Sequence, residues 1–75
     1  MNNSIKNILL KIFEEHGIYI RESEFDSDLN IDSFVFVAVL VAIEETFMIA
    51  LFDTNYDFSM LQTFNDYYKM IEIYL

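Results

Sequence analysis

The segment DSFVFVAVLVAIEETF, residues 32–47, decides the fold of this 75-residue chain. Residues 34–43 are all apolar, and the β-branched residues among them alternate as they would in a strand. Three features nevertheless favour a helix: the cap-type residue Ser33 precedes the run, the run is longer than an ordinary strand, and apolar residues recur at helical spacing. The residues of that stripe are Phe36, Val39, Leu40, Ile43 and Phe47. We therefore predict a largely buried helix over 34–47, too short to cross a membrane.

A first helix is predicted upstream of this segment. Apolar residues share one helix face at Ile5, Ile8, Leu9, Ile12 and Phe13. Asn3 or Ser4 can cap the start of this helix, and Gly17 suits the left-handed turn that ends it.

A last helix is predicted at the C-terminal end. Thr63 and Asp66 have the spacing of a capping box, in which each side chain satisfies a free backbone donor of the other residue. The apolar face then continues at Phe64, Tyr67, Tyr68, Ile71 and either Tyr74 or Leu75. We expect this helix to run to the terminus.

Two irregular segments connect the helices. Residues 18–31 alternate charged and apolar residues, which indicates a long surface loop pinned by a few buried side chains. Residues 48–60 form a connector with room for one short helical turn near Phe58 to Leu61. We predict one all-α domain over residues 1–75, a small four-helix bundle of three main helices and a short one. Its core should contain Ile8, Leu9, Ile12, Phe13, Leu40, Ile43, Phe47, Tyr67 and Ile71.

Composition limits the functions that this chain can have. Four basic and 13 acidic residues give a net charge of −9, which disfavours nucleic acids and anionic membranes and favours a basic protein partner. Without cysteine there is no disulfide or thiolate metal site, and a single histidine makes a zinc site implausible. No signal peptide is recognisable, so we expect a cytoplasmic protein, and we expect it to be a monomer.

Catalytic side chains are not evident. His16 stands at the end of the first helix, where an imidazole caps carbonyl groups or faces solvent. The neighbouring acids Glu14 with Glu15 and Glu44 with Glu45 point about 100° apart on a helix, so they form solvated faces. The aspartates show no glycine-centred calcium loop. We therefore predict a protein that is not an enzyme and has no resident metal.

The pair Asp32-Ser33 remains as the candidate site. In the simplest interpretation, Ser33 is only the N-cap of the apolar helix. In the functional interpretation, the partial positive charge and free N–H groups of a helix N-terminus accommodate a phosphate attached to an exposed serine hydroxyl.

The run LNIDSF, residues 29–34, resembles the signature of the acyl and peptidyl carrier proteins, in which an Asp-Ser-Leu type triplet opens the second helix of a four-helix bundle. The run AIEETF, residues 42–47, is similar to the end of that helix in the family. The order of the predicted elements agrees over nearly the whole chain. The resemblance implies that Ser33 is the attachment point of 4′-phosphopantetheine, added from coenzyme A by a phosphopantetheinyl transferase. It implies that Asp32 helps to hold metal and transferase during that reaction.

The resemblance also implies a function. The thiol of the arm would carry an acyl or aminoacyl group as a thioester, so a protein without cysteine would still perform thiol chemistry. The chain would be a carrier in a fatty-acid, polyketide or nonribosomal-peptide type pathway, and we expect a specialised one. Its partners would be the transferase, an acyl- or aminoacyl-loading enzyme and the synthases of the pathway.

Two departures from the family pattern bear on this expectation. Asn30 stands where the family usually has glycine, and asparagine tolerates a left-handed conformation better than most residues. On the outer face of the second helix, apolar residues replace the usual carboxylates. The predicted partner-binding surface comprises Phe34, Val35, Ala38, Val41, Ala42 and Glu45. This surface is either covered by loop 18–31 or simply exposed, or it is a docking surface that recognises partners by hydrophobic contact.

Other functions remain open at this point. The chain could be a non-carrier interaction module that docks or dimerises through the apolar helix 34–47, with Ser33 acting only as a cap. A metal-dependent or hydrolytic enzyme ranks last because no nucleophile and base can be paired. Aromatic residues make up 17% of the chain, and they either enclose an acyl chain or fill a tight core.

Overall fold

The computed structural model describes residues 2–75, which form an all-α fold with no strand among them. The three α-helices are α1, Asn3–Glu15; α2, Ser33–Phe47; and α3, Phe64–Tyr74. The structure confirms the predicted helix in the apolar segment. The helix forms because packing of one face against α1 outweighs the strand preference of its β-branched residues. None of the helices within residues 2–75 combines the length and apolar content needed to cross a bilayer.

The core lies where α1 packs against both α2 and α3. Seven predicted core residues are buried: Leu9, Ile12, Phe13, Leu40, Ile43, Tyr67 and Ile71. The prediction for Ile8 is wrong, since 40% of this residue is exposed. Its side chain lies about 60° around α1 from Ile5, on the side away from Leu9 and Phe13. Phe47 is half-buried and packs at the edge of the core.

The ends of α1 are capped by local side chains. The N-cap is Asn2 and not Asn3 or Ser4, because the helix begins one residue earlier than predicted; Asn2 Oδ1 accepts from Ser4 N at 2.9 Å. At the other end, Gly17 has the expected left-handed φ of 81°. His16 Nδ1 lies 2.8 Å from the carbonyl oxygen of Ile12, so the imidazole caps a carbonyl as predicted.

The loop of residues 18–31 is pinned to the start of α3. Phe25 is buried and stacks on Phe64 with ring centroids 4.1 Å apart, and its carbonyl oxygen accepts from Asn65 N at 3.1 Å. Leu29 N donates to the carbonyl oxygen of Gln62 at 2.9 Å. The predicted pinned loop is confirmed, although it also contains an unpredicted 3₁₀ turn, Glu22–Glu24. These contacts fix the point from which the chain enters α2.

The connector after α2 contains two single 3₁₀ turns, Leu51–Asp53 and Phe58–Met60. The second confirms the short helical turn predicted near Phe58, and the first was not predicted. Leu51 is fully buried, and its carbonyl oxygen accepts from Thr54 Oγ1 at 2.6 Å. The fourth helical element is therefore a single 3₁₀ turn and not an α-helix.

Candidate functional site

The site is the first turn of α2. Asp32 is the N-cap: its Oδ1 accepts from Val35 N at 2.9 Å, and its carbonyl oxygen accepts from Phe36 N at 2.9 Å. Ser33 is the first helical residue and is exposed, so the interpretation of Ser33 as the cap is wrong. The physical reason is that the aspartate carboxylate already occupies the capping position, which leaves the hydroxyl of Ser33 outside that role.

The segment that leads into this turn has the left-handed conformation expected at Asn30. This residue has a φ of 50°, in the left-handed region that asparagine tolerates, and its N–H donates to Asp28 Oδ1 at 2.8 Å. The local hydrogen bond stabilises a tight bend that an ordinary side chain would resist. Together with the hydrogen bond from Leu29 N to the carbonyl oxygen of Gln62, it orients the chain that leads to Asp32 and Ser33.

The surroundings of Ser33 are open and apolar. A shallow depression in the surface is lined by Ser33, Phe34, Val37 and Ala38. Phe34 is 85% exposed although it follows Ser33 directly. The serine hydroxyl is thus the polar group at the rim of an otherwise hydrophobic patch.

The predicted partner-binding residues divide between two sides of α2. Phe34, Val41 and Glu45 are exposed and Ala38 is half-buried, whereas Val35 and Ala42 pack against the core. The loop of residues 18–31 covers only part of this surface, and the rest is exposed. Val35 lines a small pocket with loop residues, and Phe34 remains outside it.

Two exposed apolar residues of this surface were not predicted. Val37 is 50% exposed, and Met48, in a left-handed conformation just past the end of α2, is 89% exposed. Val37 could have been found from sequence, since it lies three residues from Phe34 and four from Val41 and so shares their face. Met48 could not, because its position depends on how the helix ends.

A second concavity lies beside the start of α2. This cleft of about 250 Å³ separates the end of the loop from the segment before α3, and it is lined by Asp28, Leu29, Asn30, Ile31, Phe36, Leu61, Gln62 and Tyr67. Burial raises the pKa of the Tyr67 phenol above its usual value. Tyr67 also packs edge-on against Phe13 in the core, with ring centroids 5.1 Å apart.

The candidate metal-ligating side chains and the histidine of residues 2–75 lie apart from Ser33 in the sequence, except for Asp32. Within this range, no cluster of three or more histidine, aspartate or glutamate residues is placed to hold a metal ion. His16 is bound to the end of α1 through the Ile12 carbonyl. The site thus presents the exposed residue Ser33 directly after the carboxylate of Asp32.

No family model, curated protein or solved structure matches this chain at a significant level.

Proposed function

We propose that this chain is a discrete acyl or peptidyl carrier protein, which carries pathway intermediates as thioesters on a 4′-phosphopantetheine arm attached to Ser33. The observation that carries the proposal is the exposed position of Ser33 at the first turn of α2, directly after the capping Asp32. The resemblance of residues 29–34 to the carrier-protein signature supports it.

The residues present fit such an arm. The partial positive charge at the N-terminus of α2 favours a phosphate ester on the first helical residue. The depression beside Ser33 is shallow and open, so it leaves room for an attached arm. The left-handed Asn30 supplies the bend for which the family uses glycine.

The loading reaction would need an enzyme from outside this chain. Ser33 Oγ would form the new bond to phosphorus of coenzyme A, and the bond from that phosphorus to the nucleotide part would break. The nucleotide would leave as adenosine 3′,5′-bisphosphate, and the hydroxyl proton would pass to a base on the transferase. When bound, the arm supplies the thiol that forms the thioester.

Asp32 would have two roles. One carboxylate oxygen, Oδ1, holds the N–H of Val35 and so fixes the first turn of α2. The exposed carboxylate would also help to hold the metal and the transferase during loading, as the resemblance implies. The helix would then present Ser33 in one orientation to successive enzymes.

The remaining parts of the proposal follow the same resemblance. The turn Phe58–Met60 would take the place of the short third helix of the carrier bundle. The partners would be a phosphopantetheinyl transferase, a loading enzyme and synthases of a specialised fatty-acid, polyketide or nonribosomal-peptide type pathway in the cytoplasm. The carrier itself would not be an enzyme.

Intact-mass measurement tests the proposal. The protein is incubated with coenzyme A and a broad-specificity phosphopantetheinyl transferase, and a mass gain of one phosphopantetheine is expected. Ser33→Ala should abolish the gain. Ser59→Ala is the matched control: Ser59 is also exposed and near a capping aspartate, but its hydroxyl donates to Asp57 Oδ1 at 2.6 Å. A gain that persists in Ser33→Ala would contradict the assignment.

The second candidate is a non-carrier interaction module that docks or dimerises through α2. The exposed apolar residues Phe34 and Val37 favour it, because soluble proteins seldom leave such a surface without a role. It differs from the carrier in predicting no modification of Ser33, and dimerisation would make the apparent mass in solution rise with concentration.

A further inference from the structure

The cleft between the end of the loop and the segment before α3, here named the loop cleft, differs in chemistry from the depressions along α2. Its volume of about 250 Å³ lies below the roughly 300–1,000 Å³ of pockets for drug-sized ligands, so it suits a smaller molecule with a single ring. The wall is apolar and consists of Leu29, Ile31, Phe36 and Leu61. These residues are buried or half-buried, so the wall lies inside the opening of the cleft.

The floor of the loop cleft holds a hydroxyl group that no other group of residues 2–75 binds. Tyr67 lines the cleft, is 1% exposed, and packs edge-on against Phe36 with ring centroids 6.4 Å apart. Its hydroxyl makes no hydrogen bond within residues 2–75, yet the one fully enclosed and unpaired side-chain polar atom of that range is Asn65 Oδ1. The Tyr67 hydroxyl therefore still reaches the open space of the cleft. A hydroxyl in this position can donate one hydrogen bond to a ligand and accept another.

The rim of the loop cleft is polar and negatively charged. Asp28, Asn30 and Gln62 line the cleft and are exposed, so they lie at its opening. Asp28 Oδ1 accepts from Asn30 N at 2.8 Å, which holds this carboxylate beside the opening.

Charge decides which ligands fit this rim. Among residues 2–75, those that line the cleft include the carboxylate of Asp28 and no lysine, arginine or histidine, and the net charge of the chain is −9. Ligands with a carboxylate or phosphate group are therefore disfavoured, whereas an ammonium group is attracted to the rim.

We propose that the loop cleft is a binding site for a compact aromatic amine. The ring of the ligand packs against Phe36 and Leu61, which remove its apolar surface from water. A hydroxyl at the far end of the ring exchanges a hydrogen bond with the Tyr67 hydroxyl on the floor, and the ammonium group remains at the rim beside Asp28. The site needs no arm on Ser33, so the inference goes beyond the proposed function and is independent of it.

Titration of the unmodified protein with tyramine, followed by ¹H–¹⁵N correlation NMR, tests the site. We expect saturable shift changes at the backbone and side-chain amides of Asn30 and Gln62, with a dissociation constant near or below about 1 mM for a ligand of this size. No saturable change, or changes confined to the depression lined by Ser33 and Phe34, would overturn the proposal. Tighter binding of the anion hydroxyphenylacetate than of tyramine would overturn it as well.

The contact with the floor is tested by removing one oxygen from either partner. Tyr67→Phe keeps the ring and its packing, so it should weaken tyramine about fivefold and change phenethylamine, which lacks the phenol oxygen, by less than about twofold. Tyr19→Phe is the matched control, because Tyr19 is exposed and does not line the cleft. Wild-type protein gives the same contrast without any variant, since tyramine should bind about fivefold tighter than phenethylamine. Equal affinities of the two amines for wild type, or equal weakening of both by Tyr67→Phe, would overturn the proposal.

The contact at the rim is tested by removing one charge. Asp28→Asn keeps a side-chain oxygen that accepts from Asn30 N, so the local turn is retained. It should weaken tyramine about two- to threefold at low salt, and the difference should vanish at high salt because of screening. Para-ethylphenol, which has no ammonium group, should bind both proteins equally, and Asp53→Asn is the matched control at an exposed aspartate of the connector. An effect on para-ethylphenol as large as that on tyramine would overturn the assigned orientation.

Two sources can supply this chemistry: a free amine, and an aromatic aminoacyl group carried on an arm at Ser33. Ser33→Ala should bind added tyramine as wild type does, and loss of binding in this variant would overturn the proposal. Protein loaded with a tyrosyl arm shows the Asn30 and Gln62 shift changes without added amine if the arm supplies the ligand. If it shows them only after tyramine is added, the ligand is a free amine. Only this last comparison rests on the proposed function, so a chain that is never modified leaves the tyramine titration decisive.

Discussion

The first turns of α2 and α3 have their free backbone N–H groups capped in different ways. At α3, Thr63 and Asp66 exchange hydrogen bonds in a capping box, and Phe64 is buried beneath Phe25. At α2, Asp32 caps alone, and the residues after it, Ser33 and Phe34, are exposed. The start of α3 is used for stability, whereas the start of α2 leaves a hydroxyl and an aromatic ring accessible. Substitution of the exposed Ser33 or Phe34 should therefore affect stability little, whereas substitution of the buried Phe64 should affect it strongly.

Replacing Phe64 or Phe34 by alanine should change the free energy of unfolding by very different amounts. Phe64→Ala removes a fully buried ring that contacts Phe13 and Phe25, so we expect a loss of about 3–5 kcal/mol in the free energy of unfolding. Phe34→Ala removes an exposed ring and should change stability by less than about 0.5 kcal/mol. Urea unfolding followed by circular dichroism measures both. Equal losses would show that the start of α2 is packed as tightly as that of α3.

The next comparison is between the two caps. Thr63→Ala and Asp32→Ala each remove a side chain that accepts from a backbone N–H of the first turn, and each should cost about 1 kcal/mol. Asp32→Asn keeps an acceptor and should retain most of the stability. Chemical denaturation of the three variants against wild type gives the values. A neutral Asp32→Ala variant would contradict the assignment of this carboxylate as the cap of α2.

The stability that Asp66 contributes to the capping box of α3 should depend on pH. Burial opposes the charge on Asp66, but hydrogen bonds from Gln62 N, Thr63 N and the Thr63 hydroxyl, together with Lys69, outweigh it and lower the pKa of this carboxyl. A lowered folded-state pKa stabilises the fold above the unfolded pKa, and this contribution disappears as the pH falls through the folded value. Asp66→Asn should therefore be less stable than wild type near neutral pH, by less than about 1 kcal/mol because the side chain is only half-buried and water screens its charge. The difference should shrink below about pH 4. A gap that is constant from pH 7 to pH 3 would contradict the assigned cause.

Of these substitutions, Ser33→Ala should have the least effect on stability. Since Asp32 supplies the cap, Ser33→Ala should change the unfolding free energy by less than about 0.5 kcal/mol. Thermal unfolding of the unmodified proteins measures this. A loss near 1 kcal/mol or more would indicate that the hydroxyl has a structural role.

Much of this fold follows from local sequence patterns. The helical state of α2, the capping box of α3 and the left-handed Gly17 are determined by residue spacing and backbone preference, so they were predictable. The exposure of Ile8 and the choice of Asp32 over Ser33 as cap depend on where each helix begins and on the direction of its neighbours. Spacing alone leaves both undetermined within one residue.

The candidate site shows the same division. The pair Asp32-Ser33 was identified from sequence because a polar pair before a long apolar run is conspicuous, and Asn30 adopts the conformation expected of it. The assignment of Val35 and Ala42 to the outer surface could not be tested without the fold, since α2 is apolar on every side and its sequence has no polar face to orient it. The packing of α1, the loop and Tyr67 of α3 distinguishes the inner side of α2 from the side that carries the exposed Phe34 and Val37.

In the proposed function, Ser33 is the residue that becomes modified. The most direct measurement is top-down fragmentation mass spectrometry of the intact protein after incubation with coenzyme A and a broad-specificity transferase. We predict one added phosphopantetheine, carried by fragments that contain Ser33 and absent from fragments that contain only Ser4, Ser23, Ser27 or Ser59. An unchanged mass, or a modification located at one of those other serines, would contradict the account.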